Sequence, residues 1–108
     1  MKDARTAAIF RALSDPTRLA IIARLRSGEV AAGDIAAPFQ VSRPAISRHI
    51  RVLRRARLVR ERRDGRNRFY SLAPAPLQLV DRWIATYRIY WQSRLHELKT
   101  FVESDPNF

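Results

Sequence analysis

Arginine is concentrated in the middle of this 108-residue sequence. Residues 43–73 contain 11 arginines and two acidic residues, Glu61 and Asp64, so this segment carries nine of the eleven excess positive charges of the chain. A guanidinium group is planar and permanently charged, and it can bind a phosphate or the edge of a guanine through two parallel hydrogen bonds. The concentration of arginine therefore predicts a surface that binds a polyanion.

The stretch SRPAISRHIRVLRR, residues 42–55, predicts how these arginines are presented. Ser42 is a favourable N-cap and Pro44 fits the first turn, so a helix is expected to begin here. With about 100° between successive residues, one face is apolar and consists of Ile46, Ile50 and Leu53. The other side and its edges consist of Arg43, Pro44, Ser47, Arg48, Arg51 and Arg55. Repulsion within this charged side costs little in salt solution, and it becomes a gain when the side displaces counterions from phosphates.

Position along this helix separates two predicted kinds of DNA contact. The side chains near its N-terminus are of types that reach base edges, and we predict base reading for Arg43, Pro44, Ser47 and Arg48. Residues at the cap, further along the helix and in the hairpin described below are predicted to bind the DNA backbone, and these are Ser42, Arg51, Arg54, Arg55, Arg62, Arg63, Arg66 and Arg68. His49 adjoins the apolar face, and we predict that it packs or hydrogen bonds within the protein rather than reading a base.

Helices are also predicted before this segment. Apolar residues at helical spacing indicate one over residues 4–13. Asp15 and Pro16 suit the N-cap and first position of a second helix, and Gly28 is suited to end it. Its buried stripe is predicted to be Leu19, Ile22 and Leu25. A short helix over residues 34–37, a turn and the arginine-rich helix then form a helix-turn-helix unit.

After this unit the apolar residues no longer follow helical spacing but alternate with polar ones, which predicts a β-hairpin over about residues 58–72. Asp64-Gly65 is a favourable two-residue turn, and centring the hairpin on it predicts a register with these opposed residues: Val59 with Tyr70, Arg60 with Phe69, Glu61 with Arg68, and Arg63 with Arg66. Val59, Tyr70 and Leu72 would then pack on the core, and Arg60 would lie over the Phe69 ring. The basic tip would project as a wing.

Residues 76–103 form a predicted C-terminal helix with an apolar seam, which consists of Leu77, Val80, Ile84, Tyr87, Trp91, Leu98 and Val102. A helix of roughly 28 residues would be about 42 Å long, which a domain this small cannot cover with its own core. The seam therefore predicts a partner chain. The aromatic residues along it predict interface packing or, alternatively, a pocket for an effector: Trp83, Tyr87, Tyr90 and Trp91.

Composition excludes several other classes of protein. The hydrophobic fraction of 46% indicates a folded chain, and residues 1–108 are expected to form one domain. No apolar run approaches the roughly 20 residues of a membrane span, and the N-terminus does not resemble a secretory signal, so a cytoplasmic location without membrane contact is expected. The absence of cysteine excludes disulfides and thiolate chemistry. No catalytic constellation or phosphate-cradling glycine loop is apparent, so we predict that the chain is not an enzyme and uses no cofactor.

Three segments resemble the ArsR/SmtB-type winged-helix transcriptional regulators, in particular the cysteine-free, autorepressor-like branch. They are FRALSDPTRLAIIARL, GDIAAPFQVSRPAISRHIRVLRRARLVRERRDGRNRFYSL and PLQLVDRWIATYRIYW, and they cover nearly the whole chain. The most specific pieces are the DPTR helix start, the S-x-P-A-I-S-R-H-I-x-V-L recognition helix and the GR-x-x-x-Y-x-L exit from the wing.

This resemblance implies a mainly α-helical winged helix-turn-helix fold of about five helices with a two-stranded β-hairpin wing. It implies a homodimer that binds double-stranded DNA at an inverted repeat, usually as a repressor. Because the family uses its first and last helices for dimerisation, here about residues 4–13 and 76–103, the expected interface residues are Ile9, Leu13, Val80, Ile84, Tyr87, Trp91 and Leu98.

The metal sites of this family are not expected in this chain. The family's thiolate pair falls on Ala31 and Gly33. Its interfacial zinc ligands fall on Asp81, Trp83, Arg94 and Glu97, so both histidine positions are lost. Because a first-row metal normally needs three or four nitrogen, sulfur or oxygen ligands, we predict no metal sensing.

Two alternatives to a DNA-binding repressor remain open at this stage. One is a winged-helix module that binds a protein partner, although such modules tend to lose the positive charge of the recognition helix. The other is a regulator that responds to a small molecule in an aromatic pocket at the interface. The identity of any effector is unknown from the sequence.

Overall fold

The computed structural model describes residues 2–105 of the chain. The first part of the described chain is helical: α1 is Lys2–Leu13, α2 is Pro16–Arg24 with a 3₁₀ turn at Leu25–Ser27, α3 is Ala32–Ala36 and α4 is Arg43–Arg55. A short strand, β1 (Val30–Ala31), precedes α3. The second part consists of β2 (Val59–Asp64), β3 (Asn67–Leu72) and α5 (Pro74–Ser104). The predicted fold class, mainly α with a hairpin wing and five helices within the described range, is confirmed.

Side-chain caps begin α2 and α4, as the sequence predicts. The carboxylate of Asp15 accepts a hydrogen bond of 3.1 Å from the backbone N–H of Arg18 at the start of α2. The hydroxyl of Ser42 accepts one of 3.2 Å from the backbone N–H of Ala45 at the start of α4. Each cap satisfies a backbone donor that has no partner inside its helix, which fixes where that helix begins.

The core lies between the first four helices and the sheet. Its buried side chains are Ile9, Ala12, Ile21, Leu25, Ile35, Ile46, Ile50, Leu53, Leu58, Val59 and Tyr70. The apolar face predicted for α4 is therefore buried. The stripe predicted for α2 is partly wrong, because Leu19 is exposed whereas Ile21 is fully buried. These two residues lie about 200° apart around the helix, so α2 cannot bury both against the same core.

The hairpin register differs from the prediction by two residues. Glu61 lies opposite Tyr70 rather than Arg68, and Arg62 lies opposite Phe69. The cause is the turn, because Asp64 remains in β2 opposite Asn67. The two central residues of the turn are therefore Gly65 and Arg66. Gly65, at the first of these positions, has a positive φ of 62°, which is typical of a type II′ turn. A shift of two preserves the faces of both strands.

The sheet has a third strand that the sequence analysis did not anticipate. Strand β1 pairs with β3 in the antiparallel order β1-β3-β2, placing Val30 opposite Tyr70 and Ala31 opposite Phe69. Two residues are too few to show an alternating pattern, so sequence periodicity gives no signal for this strand. The pairing attaches the wing to the helix-turn-helix unit.

Helix α5 begins two residues before the prediction and spans 31 residues, or about 46 Å. Only its beginning packs on the core, through buried Pro76 and the partly buried Leu77, Leu79 and Val80. The Phe10 ring of α1 contacts Trp83 edge-on, with 5.0 Å between ring centroids. Beyond that contact the helix carries many exposed apolar side chains. None of the helices within residues 2–105 combines the length and apolarity needed to cross a membrane.

Candidate nucleic-acid interface

Helix α4 presents a charged side that is separate from its buried face. Ile46, Ile50 and Leu53 are buried, whereas all the predicted DNA-contacting residues of this segment are exposed, namely Ser42, Arg43, Pro44, Ser47, Arg48, Arg51, Arg54 and Arg55. The structure thus brings the predicted base-reading residues together on the exposed side of the first turns. No acidic residue lies in the first turn of α4 to neutralise them.

Four arginines on this side keep their guanidinium groups available. Within residues 2–105, no ion pair or side-chain hydrogen bond engages Arg43, Arg48, Arg51 or Arg55. An arginine without an internal carboxylate can offer all five of its N–H donors to a ligand. This side of α4 is therefore suited to phosphate oxygens and base edges.

Three of the other arginines lie around the carboxylate of Glu61. Its side chain is 8% exposed, and its carboxylate lies 3.1 Å from the guanidinium of Arg54. Arg63 and Arg68 lie 3.7 Å and 3.9 Å from the same carboxylate. Because Arg54 belongs to α4 and Glu61 to β2, this cluster ties the end of the recognition helix to the hairpin. The predicted cross-strand attraction between Glu61 and Arg68 is present across a diagonal rather than between opposed residues.

The hydroxyl of Tyr70 completes this cluster by donating a hydrogen bond of 3.3 Å to Glu61. Burial raises the pKa of Tyr70 above its ordinary value of 10.0, and the negative charge of Glu61 raises it further. Both causes disfavour the tyrosinate, because a buried anion loses hydration and a neighbouring anion repels it. Tyr70 therefore remains a hydrogen-bond donor to Glu61 at neutral pH.

Arg62 has a different environment from its neighbours in β2. It donates two hydrogen bonds to the carboxylate of Glu29, with lengths of 2.7 Å and 3.0 Å. Its guanidinium also lies 4.5 Å from the centroid of the Phe69 ring. The prediction that Arg60 covers this ring is wrong, because the two-residue register shift places Arg62 opposite Phe69. The hydrogen bond from Arg62 lowers the pKa of Glu29 below its ordinary value of 4.5.

The tip of the hairpin adds a second cationic surface. Arg66 lies in the turn beside Gly65 and is exposed, as are Arg63 and Arg68 on the flanking strands. Arg62 is also exposed, but it faces the other side of the hairpin because neighbouring strand residues alternate. Arg63 and Arg68 therefore lie on the opposite face of the hairpin from the contact between Arg62 and Glu29.

His49 makes the internal contacts that the sequence analysis predicts for it. Its Nδ1 atom lies 3.2 Å from a guanidinium nitrogen of Arg18 and 3.8 Å from the carboxylate of Asp15. Arg18 also donates to the backbone carbonyls of Arg11 and Ala12 at the end of α1. His49 thus connects α4 to the junction of α1 and α2. The backbone hydrogen bond from Arg18, together with the nearby His49, lowers the pKa of Asp15 below its ordinary value of 3.8.

The residues at the family's metal positions do not fit a metal ion. Ala31, Gly33, Trp83 and Arg94 supply no ligand atom for a divalent cation. The two carboxylates are engaged by arginines, Asp81 with Arg88 at 3.4 Å and Glu97 with Arg94 at 3.6 Å. Across the described range, no three histidine, aspartate or glutamate side chains come together as a metal site would require.

The predicted interface residues fall into three environments. Ile9 is 1% exposed, so its assignment to the dimer interface is corrected: α1 turns this side chain into the core of its own chain. Leu13 and Val80 are partly buried. The remaining four lie on the exposed part of α5 and are Ile84, Tyr87, Trp91 and Leu98.

Sequence reasoning missed the internal partners of two site arginines. The pair between Arg54 and Glu61 joins different elements, and the pair between Arg62 and Glu29 joins residues 33 positions apart. One signal was present for Glu61, since a carboxylate on the inward face of a strand needs a charged or hydrogen-bonded partner. Nothing near Glu29 in the sequence indicates its partner.

Comparison with known proteins agrees with this geometry. A helix-turn-helix domain family matches residues 13–62. The chain is 39% identical to the transcriptional repressor SdpR of Bacillus subtilis over 73% of this chain and 88% of that protein. It is 42% identical to a transcriptional repressor SmtB homolog of Synechocystis over 75% of this chain and 61% of that protein.

A solved structure gives the same result at the level of the fold. The crystal structure of an ArsR family transcriptional regulator superposes with a TM-score of 0.76 and 32% sequence identity, covering 84% of this chain and 94% of the other. Members of such a family are regulators rather than enzymes, in agreement with the sequence analysis. The chain belongs to the ArsR family of DNA-binding, winged helix-turn-helix transcriptional regulators.

Proposed function

We propose that this chain, as one domain over residues 1–108, forms a homodimer that represses transcription by binding an inverted-repeat operator. The observation that carries the proposal is the exposed side of α4, on which arginines without internal partners lie opposite a buried apolar face. In this proposal α4 enters the major groove, where Arg43, Pro44, Ser47 and Arg48 read bases. We expect a cytoplasmic location because the target is chromosomal DNA.

The backbone contacts in this proposal come from two elements. The later part of α4 and the hairpin tip carry exposed arginines, and guanidinium groups bind phosphates bidentately. Arg62 contributes less than Arg51, Arg55 and Arg66 because Glu29 already occupies two of its donors. The cluster around Glu61 supports this arrangement by holding the hairpin at a fixed position relative to α4.

Helix α5 supports the homodimer. Its exposed apolar residues, other than Ile89, fall within an arc of about 140° around the helix, and these residues are Trp83, Ile84, Tyr87, Tyr90, Trp91, Leu95, Leu98, Phe101 and Val102. Phe10 of α1 covers part of this arc through its contact with Trp83. An apolar stripe of this width is typical of a helix whose face is buried against other apolar groups, so a second copy is proposed to cover the part that is exposed here.

The alternative function, a response to a small molecule, would require a pocket such as the aromatic hollow between α1 and α5. Thr6, Ala7, Phe10 and Trp83 line it, and its volume is about 250 Å³. This is below the range of about 300–1,000 Å³ typical of small-molecule sites. The same surface adjoins the proposed interface, so packing by the second copy is the function that we propose for it.

Selection of bound genomic fragments by the purified protein tests the proposed function. We expect the enriched site to be an inverted repeat whose half-sites lie about 34–36 Å apart, because a two-fold dimer presents two recognition helices to the same face of DNA. The variant with both Arg43→Ala and Arg48→Ala is the control and is expected to enrich no defined site. Failure of the unaltered protein to enrich any site would contradict DNA reading, and enrichment of an unrepeated site would contradict the dimer.

A further inference from the structure

The end of α4 adopts a left-handed conformation at an arginine. The backbone N–H of Arg57 donates to the carbonyl of Arg54 at 2.9 Å, and that of Leu58 donates to the carbonyl of Leu53 at 3.0 Å. These two hydrogen bonds form a Schellman motif, in which the residue at the position of Arg57 is usually glycine. The φ of Arg57 is 63°, and no other non-glycine residue within residues 2–105 has a positive φ.

This conformation is unfavourable for an arginine. The Cβ atom of an L-residue approaches the following carbonyl oxygen in the left-handed region, whereas glycine has no such atom. The dipole of α4 accounts for positive charge at Arg54 and Arg55, in the last turn of the helix. It does not require a side chain at residue 57, where glycine would relieve the strain. Strain at a surface residue points to a function for its side chain.

Arg57 lines a groove at the base of the hairpin. The groove has a volume of about 350 Å³, and its cationic lining consists of Arg5, Arg54, Arg57 and Arg60. It shares Arg54, Val59 and Arg60 with a neighbouring hollow of about 600 Å³, which also includes Arg51 and Arg55 of α4. We call the combined surface the arginine groove. It continues the exposed charged side of α4 around the end of that helix.

The beginning of α5 adds a further attraction for anions. Ala75 and Pro76, in the first turn of α5, line the same groove. This helix begins without a side-chain cap and without an acidic residue in its first turn. The positive end of its dipole is therefore not neutralised locally, and it adds to the charge of the arginines through the dipole alone, because Pro74 and Pro76 have no backbone N–H to donate. Glu61 is the acidic residue along the groove, and it is engaged by Arg54.

We propose that the arginine groove binds the phosphate backbone of DNA that flanks the operator half-site read by α4. This inference rests on the proposed function, because it places the flanking duplex where α4 is already in the major groove. The groove is open and extended, and it is continuous with the DNA-facing side of α4, which suits a long polyanion better than an enclosed small molecule. Arg57 and Arg60 are its defining residues, and neither belongs to the predicted DNA-contacting set.

Binding to two lengths of the selected operator tests this inference. One duplex ends at the outer edges of the half-sites, and the other is extended on both sides by about ten base pairs, one turn of the duplex, of scrambled sequence. We expect the unaltered protein to bind the extended duplex more tightly and with a steeper salt dependence, because each additional phosphate contact adds about 0.9 to the slope of log affinity against log salt.

Substitution of Arg57 separates binding from folding. Arg57→Gly is expected to raise the Tm by roughly 4–8 °C, because glycine relieves the left-handed strain, while it removes much of the affinity gained from the flanks. A folding defect cannot produce this combination. Arg57→Lys is the matched control, since it keeps both the charge and the strained conformation, and it is expected to retain the flank-dependent affinity.

Three results would overturn the inference. If Arg57→Gly binds the extended duplex as tightly as the unaltered protein does, the groove does not contact flanking DNA. If binding of inorganic phosphate, but not the preference for the extended duplex, depends on Arg57, the groove holds a small anion instead. If the unaltered protein fails to bind even the trimmed operator, the proposed function fails first and this inference falls with it.

Discussion

The guanidinium of Arg54 lies 3.1 Å from the carboxylate of Glu61 and joins the last turn of the recognition helix to the first strand of the wing hairpin. The two elements that we propose to contact DNA are separate in the sequence, and this ion pair joins them into one surface. The Glu61 side chain is largely buried, whereas that of Arg54 is about half exposed. In the proposed function, this relationship makes Glu61 a positioning residue for DNA binding, although its negative charge prevents it from binding DNA itself.

Glu61→Gln is expected to loosen the hairpin. The free energy of unfolding should fall by about 1–2 kcal/mol, less than the roughly 3–5 kcal/mol of a fully buried ion pair, because the partner arginines are solvated. Operator affinity should fall, while affinity for random DNA should rise because three arginines lose their internal partner. Urea denaturation and fluorescence anisotropy measure these effects. Glu97→Gln, which removes an exposed pair with Arg94, is the control, and equal effects from both variants would contradict the role of Glu61.

Alkaline titration tests the environment of Tyr70. Because its pKa is raised in the folded protein, the folded state holds this proton more tightly than the unfolded state. The contribution of Tyr70 to the stability of the fold is present below the ordinary pKa of 10.0. It is lost as the pH rises toward the higher pKa that Tyr70 has in the folded protein. Absorbance of tyrosinate should show a component that titrates above the ordinary pKa of 10.0 and that is absent from Tyr70→Phe. Glu61→Gln should lower the pKa of Tyr70, and an unchanged titration curve would argue against the Glu61 contact.

Acid titration tests the contact between Glu29 and Arg62. The hydrogen bond from Arg62 lowers the pKa of Glu29, so the unfolded chain binds this proton more readily than the folded protein does. The stabilisation that the Glu29 carboxylate provides is present above its ordinary pKa of 4.5. It is lost as the pH falls through the lower pKa that Glu29 has in the folded protein. The urea midpoint of Glu29→Gln should therefore fall less steeply below that pH. Parallel curves for the variant and the unaltered protein would disprove the coupling.

Substitution of single arginines distinguishes residues that read bases from residues that bind the DNA backbone. Arg48→Ala should cost about 1–3 kcal/mol of operator affinity and relax the specificity at one base position. Arg66→Ala, at the tip of the wing, should weaken binding to all sequences alike and reduce the salt slope. Competition between operator and random duplexes measures both effects. An equal loss of operator and random binding in Arg48→Ala would remove the base-reading role of that residue.

The apolar arc of α5 predicts that a charge placed within the arc, but not one placed on the opposite side of the helix, prevents dimer formation. Leu98→Glu should convert the dimer to a monomer, because it buries a carboxylate in the proposed interface. Ile89→Glu is a matched control, since Ile89 is also exposed but lies about 180° around the helix from Leu98. Light scattering after size exclusion gives the molecular mass of each variant. A monomeric unaltered protein, or a dimer that tolerates Leu98→Glu, would contradict the interface.

Much of the architecture is predictable because local signals specify it. Asp15 and Ser42 mark two helix starts through short-range hydrogen bonds to backbone groups three residues away. The alternation of Val59, Tyr70 and Leu72 identifies the inward face of the hairpin even though the register is shifted. A shift of two residues leaves that alternation intact, so burial patterns alone cannot detect it.

The less predictable features depend on contacts between distant residues. The exposure of Leu19 follows from how α2 is rotated against the core, and the pairing of Glu29 with Arg62 follows from the third strand that brings them close. The left-handed conformation of Arg57 is hidden from sequence reasoning for a different reason. Its position after α4 indicates a cap, but arginine is not the residue that favours this conformation.

Salt-dependent binding to duplex DNA tests the central claim most directly. The purified protein is titrated into labelled operator and scrambled duplexes at several salt concentrations between about 50 and 200 mM. We predict binding to both duplexes at the lowest salt and tighter binding to the operator throughout. Operator affinity should fall by roughly 10³–10⁵ across this range, as expected for six to ten phosphate contacts. No binding to either duplex at the lowest salt, or an affinity that does not change with salt, would contradict the account.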